Sequence, residues 1–559
     1  MGGIGKTTLA RAVFNDKAAV KDFNPRVRVC FSNHSDVLRI LNAILVSVIL
    51  SPCDLNDLNI VVNKLREAIT GKKFLLVLDD VWIENCSFWE TLKSLFMVGA
   101  HGSRIMVTTR LEEVASKINP SSCYKLKLLS NDDCWSLFER HAFEFRDIVV
   151  DRNIELLCQK VVQKCEGSPL TAKTLGGILR YKPRNRWLDI LNSKIWDLPD
   201  KNEIHAVLKL SYYHLPSHLK RCFAYCAIFP KDYVFGEEEL IFLWIAEGLI
   251  QQSQENIQLE DIGSEYFLGL LSRSIFQQSS SNGSKYVMHD LIHDMAEWIF
   301  GDMNFRLEDG LWDHTQSRSL KKVLHISYTS ASYATKNKFQ VLQEVERVKH
   351  LRTFLPLSTT HPGFDFHYVT GTVFSDLLPK FKKLRVLSLQ GYYVTELLDS
   401  IGHLKHLRNL NLSGTNIRSL PESISFLFNL QILNLRYCSH LIKLPSKMGS
   451  LINLRYLDIT GVKLNEMPSG IKELTYLRKL SNFIVGKGIG LDVQELKYLK
   501  FLRGELCIST LDNVRDCSPK DTILIDKESL KELLLEWKSK FEDSRKKAVK
   551  KEEKILDML

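Results

Sequence analysis

Apolar and polar positions divide the chain into three textures. Over residues 1–128, apolar strand-like runs at 27–31, 74–78 and 104–108 alternate with stretches of helical spacing. Strands buried on both faces and separated by amphipathic helices predict a parallel α/β sheet. From 129 to about 310 the strand signal fades and helical periodicity dominates. From about 320 a repeat takes over.

Leu384, Leu387 and Leu389 form L-x-x-L-x-L. The ladder returns at Leu407, Leu410 and Leu412, at Leu430, Leu433 and Leu435, and at Leu454, Leu457 and Ile459, with Leu477 and Leu480 opening a further copy. The periods are 23, 23, 24 and 23 residues, and Pro421, Pro445 and Pro468 keep a second phase. This is a leucine-rich repeat. One such unit cannot bury its own leucines, but a stack of them can. Less regular copies are expected around Leu351 and over 530–535. The usual Asn/Cys position of the repeat holds Tyr392, Thr415, Cys438 and Val462. Strand alternation turns Leu387 and Leu389 inward and sends the intervening side chains to the concave surface. Asn434, Arg436, Tyr456 and Asp458 are expected there, solvent-facing, as a recognition surface for a protein partner.

Composition narrows the class. A chain of 559 residues holds about three to five domains at roughly 100–200 residues each. Apolar residues at 45% and charged residues at 25% exclude wholesale disorder. A net charge of +10 spread over this length does not by itself indicate nucleic acid. Apolar runs such as 43–50 are far short of the ~20 residues of a membrane span. No apolar leader opens the chain, because Lys6 and Arg11 interrupt it. Twelve cysteines are scattered without a C-x-x-C pair, which suits a reduced, intracellular compartment, and a cytoplasmic location is expected. Cys222 and Cys226, one helical turn apart, read as core. The charged tail 538–559 reads as a solvated helix or loop.

The chemistry sits near the start. Gly2, Gly3, Gly5, Lys6, Thr7 and Thr8 spell the end of a phosphate loop. Glycines let backbone N–H groups close around a phosphate, Lys6 supplies a point charge, Thr7 offers a hydroxyl to Mg2+, and the helix from Thr8 aims its positive end at the anion. The full pattern puts its first glycine one place before Met1, so the loop and its preceding strand are expected to be incomplete. The apolar strand 74–78 ends in Asp79 and Asp80, the Walker B arrangement. Asp79 is expected to hold Mg2+, and Asp80 to orient an attacking water as the catalytic carboxylate of a weak ATPase. The strand 104–108 leads into Thr109 and Arg110 at the same carboxyl edge, where Arg110 would sense a γ-phosphate. No Asn-Lys-x-Asp guanine signal is present, which points to adenine.

In this order, Gly-Gly-Ile-Gly-Lys-Thr-Thr, Leu-Val-Leu-Asp-Asp-Val-Trp and Gly-Ser-Arg-Ile-Met-Val-Thr-Thr-Arg resemble the NB-ARC nucleotide switch of plant disease-resistance proteins. Further motifs continue the match. They are Leu-Ser-Asn-Asp-Asp-Cys-Trp-Ser-Leu-Phe from 129, Cys-Glu-Gly-Ser-Pro-Leu from 165, Cys-Phe-Ala-Tyr-Cys-Ala-Ile-Phe-Pro from 222 and Met-His-Asp from 288. Trp82 and the run from 222 resemble the coiled-coil-type branch. The resemblance implies four parts: a P-loop domain over 1–128, truncated at its first strand, a helical domain over 129–207, a winged helix over 208–310, and leucine-rich repeats over 320–559, incomplete at the C-terminal end. It implies that Pro169 packs on adenine and that His289 contacts the ADP β-phosphate. The implied function is an intracellular plant immune receptor switched by ADP and ATP with Mg2+. Its repeats would recognise a pathogen effector or a guarded host protein, with oligomerisation on activation. The alternative is a non-signalling fragment, decoy or pseudogene product lacking the N-terminal domain. A DNA-binding role for the winged helix is disfavoured, because the stretch 236–250 carries four glutamates and no Lys or Arg.

Overall fold

A computed structural model of the chain describes residues 2–30, 37–49, 55, 57–81, 86–118, 120–143, 154–193, 196, 206–251, 258–279, 284–308, 322–329, 348, 350–357, 380–488, 492–514, 523–537 and 555–556. They form two compact units, residues 1–237 with 261–300, and 238–260 with 301–559. Phe31, Trp82 and nearly all of the 538–559 tail lie outside the described residues.

The first unit opens with α1 (Lys6–Asn15), α2 (Lys17–Asp22), β1 (Arg26–Cys30), α3 (Val37–Ile49), α4 (Leu58–Ile69), β2 (Leu75–Asp79), α5 (Cys86–Phe96), β3 (Arg104–Val107) and α6 (Glu112–Ile118). The strands pair in parallel in the order β1-β2-β3, with Cys30 opposite Asp79 and Leu78 opposite Val107. Alternation sorts the two faces. Val27, Val29, Leu76 and Leu78 join a core with Ile44, Leu65 and Trp89. Leu75 and Val77 face the other way, against Ala10 of α1 and Ala19 of α2. Arg26, Arg28 and Asp79 share the phase of that second face, so the sheet delivers them toward the N-terminal loop.

The helices α7 (Asn131–Ala142), α8 (Ile154–Cys165), α9 (Pro169–Leu179), α10 (Trp187–Leu191), α11 (Ala206–Tyr213) and α12 (Ser217–Tyr225) follow. Cys222 and Cys226 are fully buried, and the Cys226 thiol donates to the Cys222 carbonyl at 3.2 Å, a core role. A small antiparallel sheet of β4 (Phe235–Gly236), β5 (Phe276–Gln278) and β6 (Lys285–Met288), in the order β4-β6-β5, comes with α14 (Leu259–Leu271) and α15 (Asp290–Phe300), whereas α13 (Glu237–Glu247) belongs from Glu238 on to the second unit. Every residue of α13 from Leu240 to Glu247 except Phe242 is less than 5% exposed. A helix enclosed in this way is not available to a DNA groove, in line with its lack of cations.

The second unit is built on parallel strands β7 (Asn304–Glu308), β8 (His325–Thr329), β9 (Thr353–Leu357), β10 (Val386–Ser388), β11 (Asn409–Asn411), β12 (Ile432–Asn434), β13 (Tyr456–Asp458) and β14 (Lys479–Leu480) in one eight-stranded sheet. A three-stranded parallel sheet of β15 (Asn482–Ile484), β16 (Gly504–Ser509) and β17 (Leu530–Leu535) follows. Leu387, Leu410, Leu433, Leu457 and Leu480 are aligned across consecutive strands, and all are buried to 1% exposure or less. The sheet begins with β7, before residue 320, because 304–308 is apolar at alternate positions without the leucine ladder. Thr415 and Cys438 fill the usual Asn position, both donating to the Leu412 carbonyl at 2.8 and 3.0 Å. At the turn after each strand the backbone is left-handed at Gly391, Gly414, Tyr437 and Gly461. Glycine is required at 461, since a Cβ there would stand 2.6 Å from the Tyr437 ring.

The concave surface differs from expectation. Tyr456 and Asp458 are only 7% and 6% exposed. The Tyr456 ring lies 4.6 Å from that of Phe242 on α13, and its hydroxyl donates to Asp458 at 3.1 Å. Residues at or just before the strands hold Glu238, Glu247, Gln258 and Glu260. Arg455 makes a forked pair with Glu260 at 2.8 and 2.7 Å, Lys479 reaches Glu238 at 2.8 Å, and Arg478 donates to Gln258. Arg385 donates to the Glu247 carbonyl at 2.5 Å, supplying a cation to the C-terminus of α13, where carbonyls lack helical partners. Asn434 and Asp458 each accept the N–H two residues on, at 3.0 and 2.9 Å, so their side chains shape strand ends. Arg436 remains exposed, stacked on Tyr437.

Burial alone would raise the Glu260 carboxyl, but the Arg455 fork outweighs it and holds it below the usual range. The stabilisation is therefore complete at neutral pH and is lost as pH falls through the lowered folded-state value. Glu260→Gln is expected to destabilise the second unit by about 1.5–3 kcal/mol and to flatten this acid limb. Hydrogen exchange at β13 amides against pH reads both, and an unchanged acid limb in the variant would dismiss the pair as a contributor.

Candidate nucleotide site

The N-terminal loop is shaped by two left-handed glycines, Gly3 at φ 73° and Gly5 at φ 95°. Gly3 rests on α9: a Cβ there would lie 2.8 Å from the Leu170 Cβ, and the Leu170 N–H donates to the Gly3 carbonyl at 3.2 Å. Gly2 lies between Leu291 of α15 and the Arg110 guanidinium. Gly5 ends the loop as N-cap of α1, offering no side chain to the first-turn N–H groups and leaving open space where its Cβ would be. Consecutive N–H groups around such glycines form an anion-receptive nest at a positive helix end. Lys6 and Thr7 begin the helix there, followed by Thr8, and both threonines are exposed.

Asp79, at the carboxyl end of β2, is 1% exposed and fully engaged. One oxygen accepts from the Thr7 hydroxyl at 3.1 Å and the Thr108 hydroxyl at 2.6 Å, and the other pairs with Arg28 at 2.8 Å. Asp80 follows in a left-handed conformation, φ 51°, with its N–H on the Thr108 hydroxyl at 2.9 Å. Arg110 pairs with both Asp80 oxygens at 3.2 Å and with Asp290 at 2.8 Å. One guanidinium thus joins the end of β2 to the start of α15. His289 sits beside it, its Nδ1 accepting the Leu291 N–H at 3.2 Å, a cap on α15. Pro169 occupies the first turn of α9, where a missing N–H has no cost, behind an N-cap Ser168 whose hydroxyl accepts from Thr171. That capping accounts for serine at 168.

Charge is crowded here. Burial and the Arg110 cation lower the Lys6 ammonium, opposed by Asp80 and Asp79. Burial, then Asp232 and Asp80, push the Asp290 carboxyl well above its usual range. Three of the residues that build this cluster, Arg28, Thr108 and Asp232, were not expected as site residues. The repeated Thr-Thr before Arg110 was the available signal for Thr108. Arg28 becomes visible only through its long-range pair with Asp79, and Asp232 only through its nearness to Asp79, Asp80 and Asp290.

Magnesium was expected on Thr7 and Asp79. Thr7 keeps lone pairs for a cation, but the second Asp79 oxygen carries a guanidinium. The donor set as it stands does not fit a divalent ion.

Known proteins agree with this architecture. Residues 1–147 match the family model of the NB-ARC domain, 228–296 that of the disease resistance protein winged helix domain, and 367–541 that of a leucine-rich repeat region. Disease resistance protein RGA2 of Solanum bulbocastanum is 41% identical over 550 residues, covering 96% of this chain and 52% of that protein. Disease resistance protein RPP13 of Arabidopsis thaliana is 31% identical over 403 residues, 69% of this chain and 45% of that protein. The chain spans about half the length of these relatives. Nucleotide binding follows from the NB-ARC domain. No helix among the described residues is long and apolar enough to cross a membrane. The chain thus carries NB-ARC, winged-helix and leucine-rich-repeat domains in this order, and along nearly its whole length it is similar to disease resistance proteins.

Proposed function

We propose that the chain is the switch and sensor portion of a plant immune receptor, in which bound ADP maintains a closed first unit and ATP opens it. The observation that carries this reading is Arg110, shared between Asp80 and Asp290. A γ-phosphate beside Lys6 and the Gly2–Gly3–Gly5 loop would compete with Asp290 for that guanidinium, because a dianion outbids a single carboxylate. Losing Arg110 frees the start of α15 and its cap His289. ADP, which lacks the γ-phosphate, leaves the pair intact. Pro169 lines the adenine side and Asp80 orients a water, so slow hydrolysis resets the switch. The exposed Arg436, held over Tyr437, and the neighbouring Asn434 are the effector- or guardee-facing residues; Tyr456 and Asp458 serve internal packing.

Asp290→Val and His289→Ala are expected to speed ADP release from the full chain. A lost charge-assisted contact of about 1.5–3 kcal/mol corresponds to roughly 10–100-fold. Release of a fluorescent ADP analogue in stopped flow measures it. Unchanged release in both variants would detach the α15 terminus from the switch.

A further inference from the structure

We propose that Arg28 supplies, at the Walker B carboxylate, the positive charge that a divalent cation would otherwise bring, so that this chain holds a nucleoside diphosphate without needing a metal. The inference rests on the nucleotide reading above and concerns how that site is neutralised.

The placement is dictated by the sheet. On β1, Val27 and Val29 enter the core with Leu76 and Leu78, which leaves Arg26 and Arg28 on the α1 face. Arg26 is used locally, donating to the Phe14 carbonyl at 2.6 Å with its guanidinium over the Phe14 ring. Arg28 lies further along the strand toward its carboxyl end. Its register partner is Val77, and Asp79 is two residues on along β2 in the same phase. The side chain reaches that carboxylate at 2.8 Å.

Asp79 is the group on which a metal-bound water would act in this kind of site. Its first oxygen is saturated by the Thr7 and Thr108 hydroxyls, and its second by Arg28. The Arg28 side chain is 19% exposed and that of Asp79 1%, so the pair is screened little by water. A divalent ion placed beside Thr7 would meet a fixed guanidinium at close range and a carboxylate already neutralised. Both effects weaken metal capture. Arginine stays charged at any working pH, so the compensation is permanent. The phosphates then meet Lys6, the glycine nest and a neutral Arg28–Asp79 pair, with no net negative charge from Asp79 to be offset by metal.

The test measures ADP affinity of the full chain by calorimetry in EDTA and in excess Mg2+, with Mn2+ electron paramagnetic resonance as a second readout. Wild type is expected to bind ADP with less than about threefold difference between the two buffers and to hold no Mn2+ with ADP. Arg28→Met is expected to bind at least tenfold more weakly in EDTA, to recover in Mg2+, and to gain a bound Mn2+. Arg28→Lys, which keeps the charge, is expected to resemble wild type. A wild-type chain that binds ADP only with Mg2+ overturns this inference alone, and needs no folded variant. Equal metal dependence in wild type and Arg28→Met overturns it too and leaves Arg28 as a structural pair. Absence of ADP binding in both buffers overturns the nucleotide reading and this inference with it.

Discussion

Lys6→Ala is expected to remove measurable ADP binding from the full chain. Lys6 is the first residue of α1, directly after the left-handed Gly5, which offers no side-chain cap to the helix N–H groups. Burial and Arg110 disfavour its ammonium. A phosphate reverses that balance, because the lysine then faces an anion in a partly buried setting. Each charge-assisted hydrogen bond contributes about 1.5–3 kcal/mol, so losing two would weaken binding by roughly 10²–10⁴-fold. Lys6→Arg should recover only part, since a planar fork does not match the space of a compact ammonium. Calorimetry with ADP on the three proteins decides it. Unchanged affinity in Lys6→Ala would mean that this loop is not the phosphate site.

The parts of the molecule that were legible in the sequence are those encoded in one dimension. The 23-residue leucine ladder predicts both the stacked strands and which leucines are buried, because every repeat must solve the same burial problem with its neighbours. The run ending in Asp79 and Asp80 predicts a buried strand with carboxylates at its exit. Alternation also separates Leu457 from Tyr456 and Asp458. What alternation cannot tell is whether the second face meets water. Here it meets Phe242, more than 200 residues earlier in the chain. A signal was nevertheless present. Arg385, Arg408, Arg455 and Arg478 recur in the repeat phase just before the strands, while 237–260 is rich in glutamate. A basic row and an acidic segment in one chain are complementary surfaces.

The array supplies the second large effect. Leu433→Ala and Leu457→Ala are expected to cost about 2–5 kcal/mol each, because both side chains are fully buried and in register with leucines on either side. Coupling between neighbouring repeats should spread the loss to β11 and β14. Tyr456→Ala belongs with them, although its phase alone marks it as solvent-facing. It removes a ring packed on Phe242 and beneath the Lys479 ammonium, and strips Asp458 of a donor. A cost of about 3 kcal/mol or more is expected, as for other buried aromatics. Tyr456→Phe, which loses only the hydrogen bond, should cost about 1 kcal/mol. Arg436→Ala is exposed and should stay within about 0.5 kcal/mol of wild type, while weakening capture of a protein partner. A chain of two units need not melt in one step, so a global melting temperature would blur these differences. Hydrogen exchange at β12, β13 and α13 amides resolves them residue by residue. Normal protection of α13 and β13 in Tyr456→Ala would show that the contact with Phe242 holds nothing together, and would return Tyr456 to the partner-facing surface. Loss of protection there, with protection kept in Arg436→Ala, divides the concave face into a part that packs internally and a part that remains open to a partner.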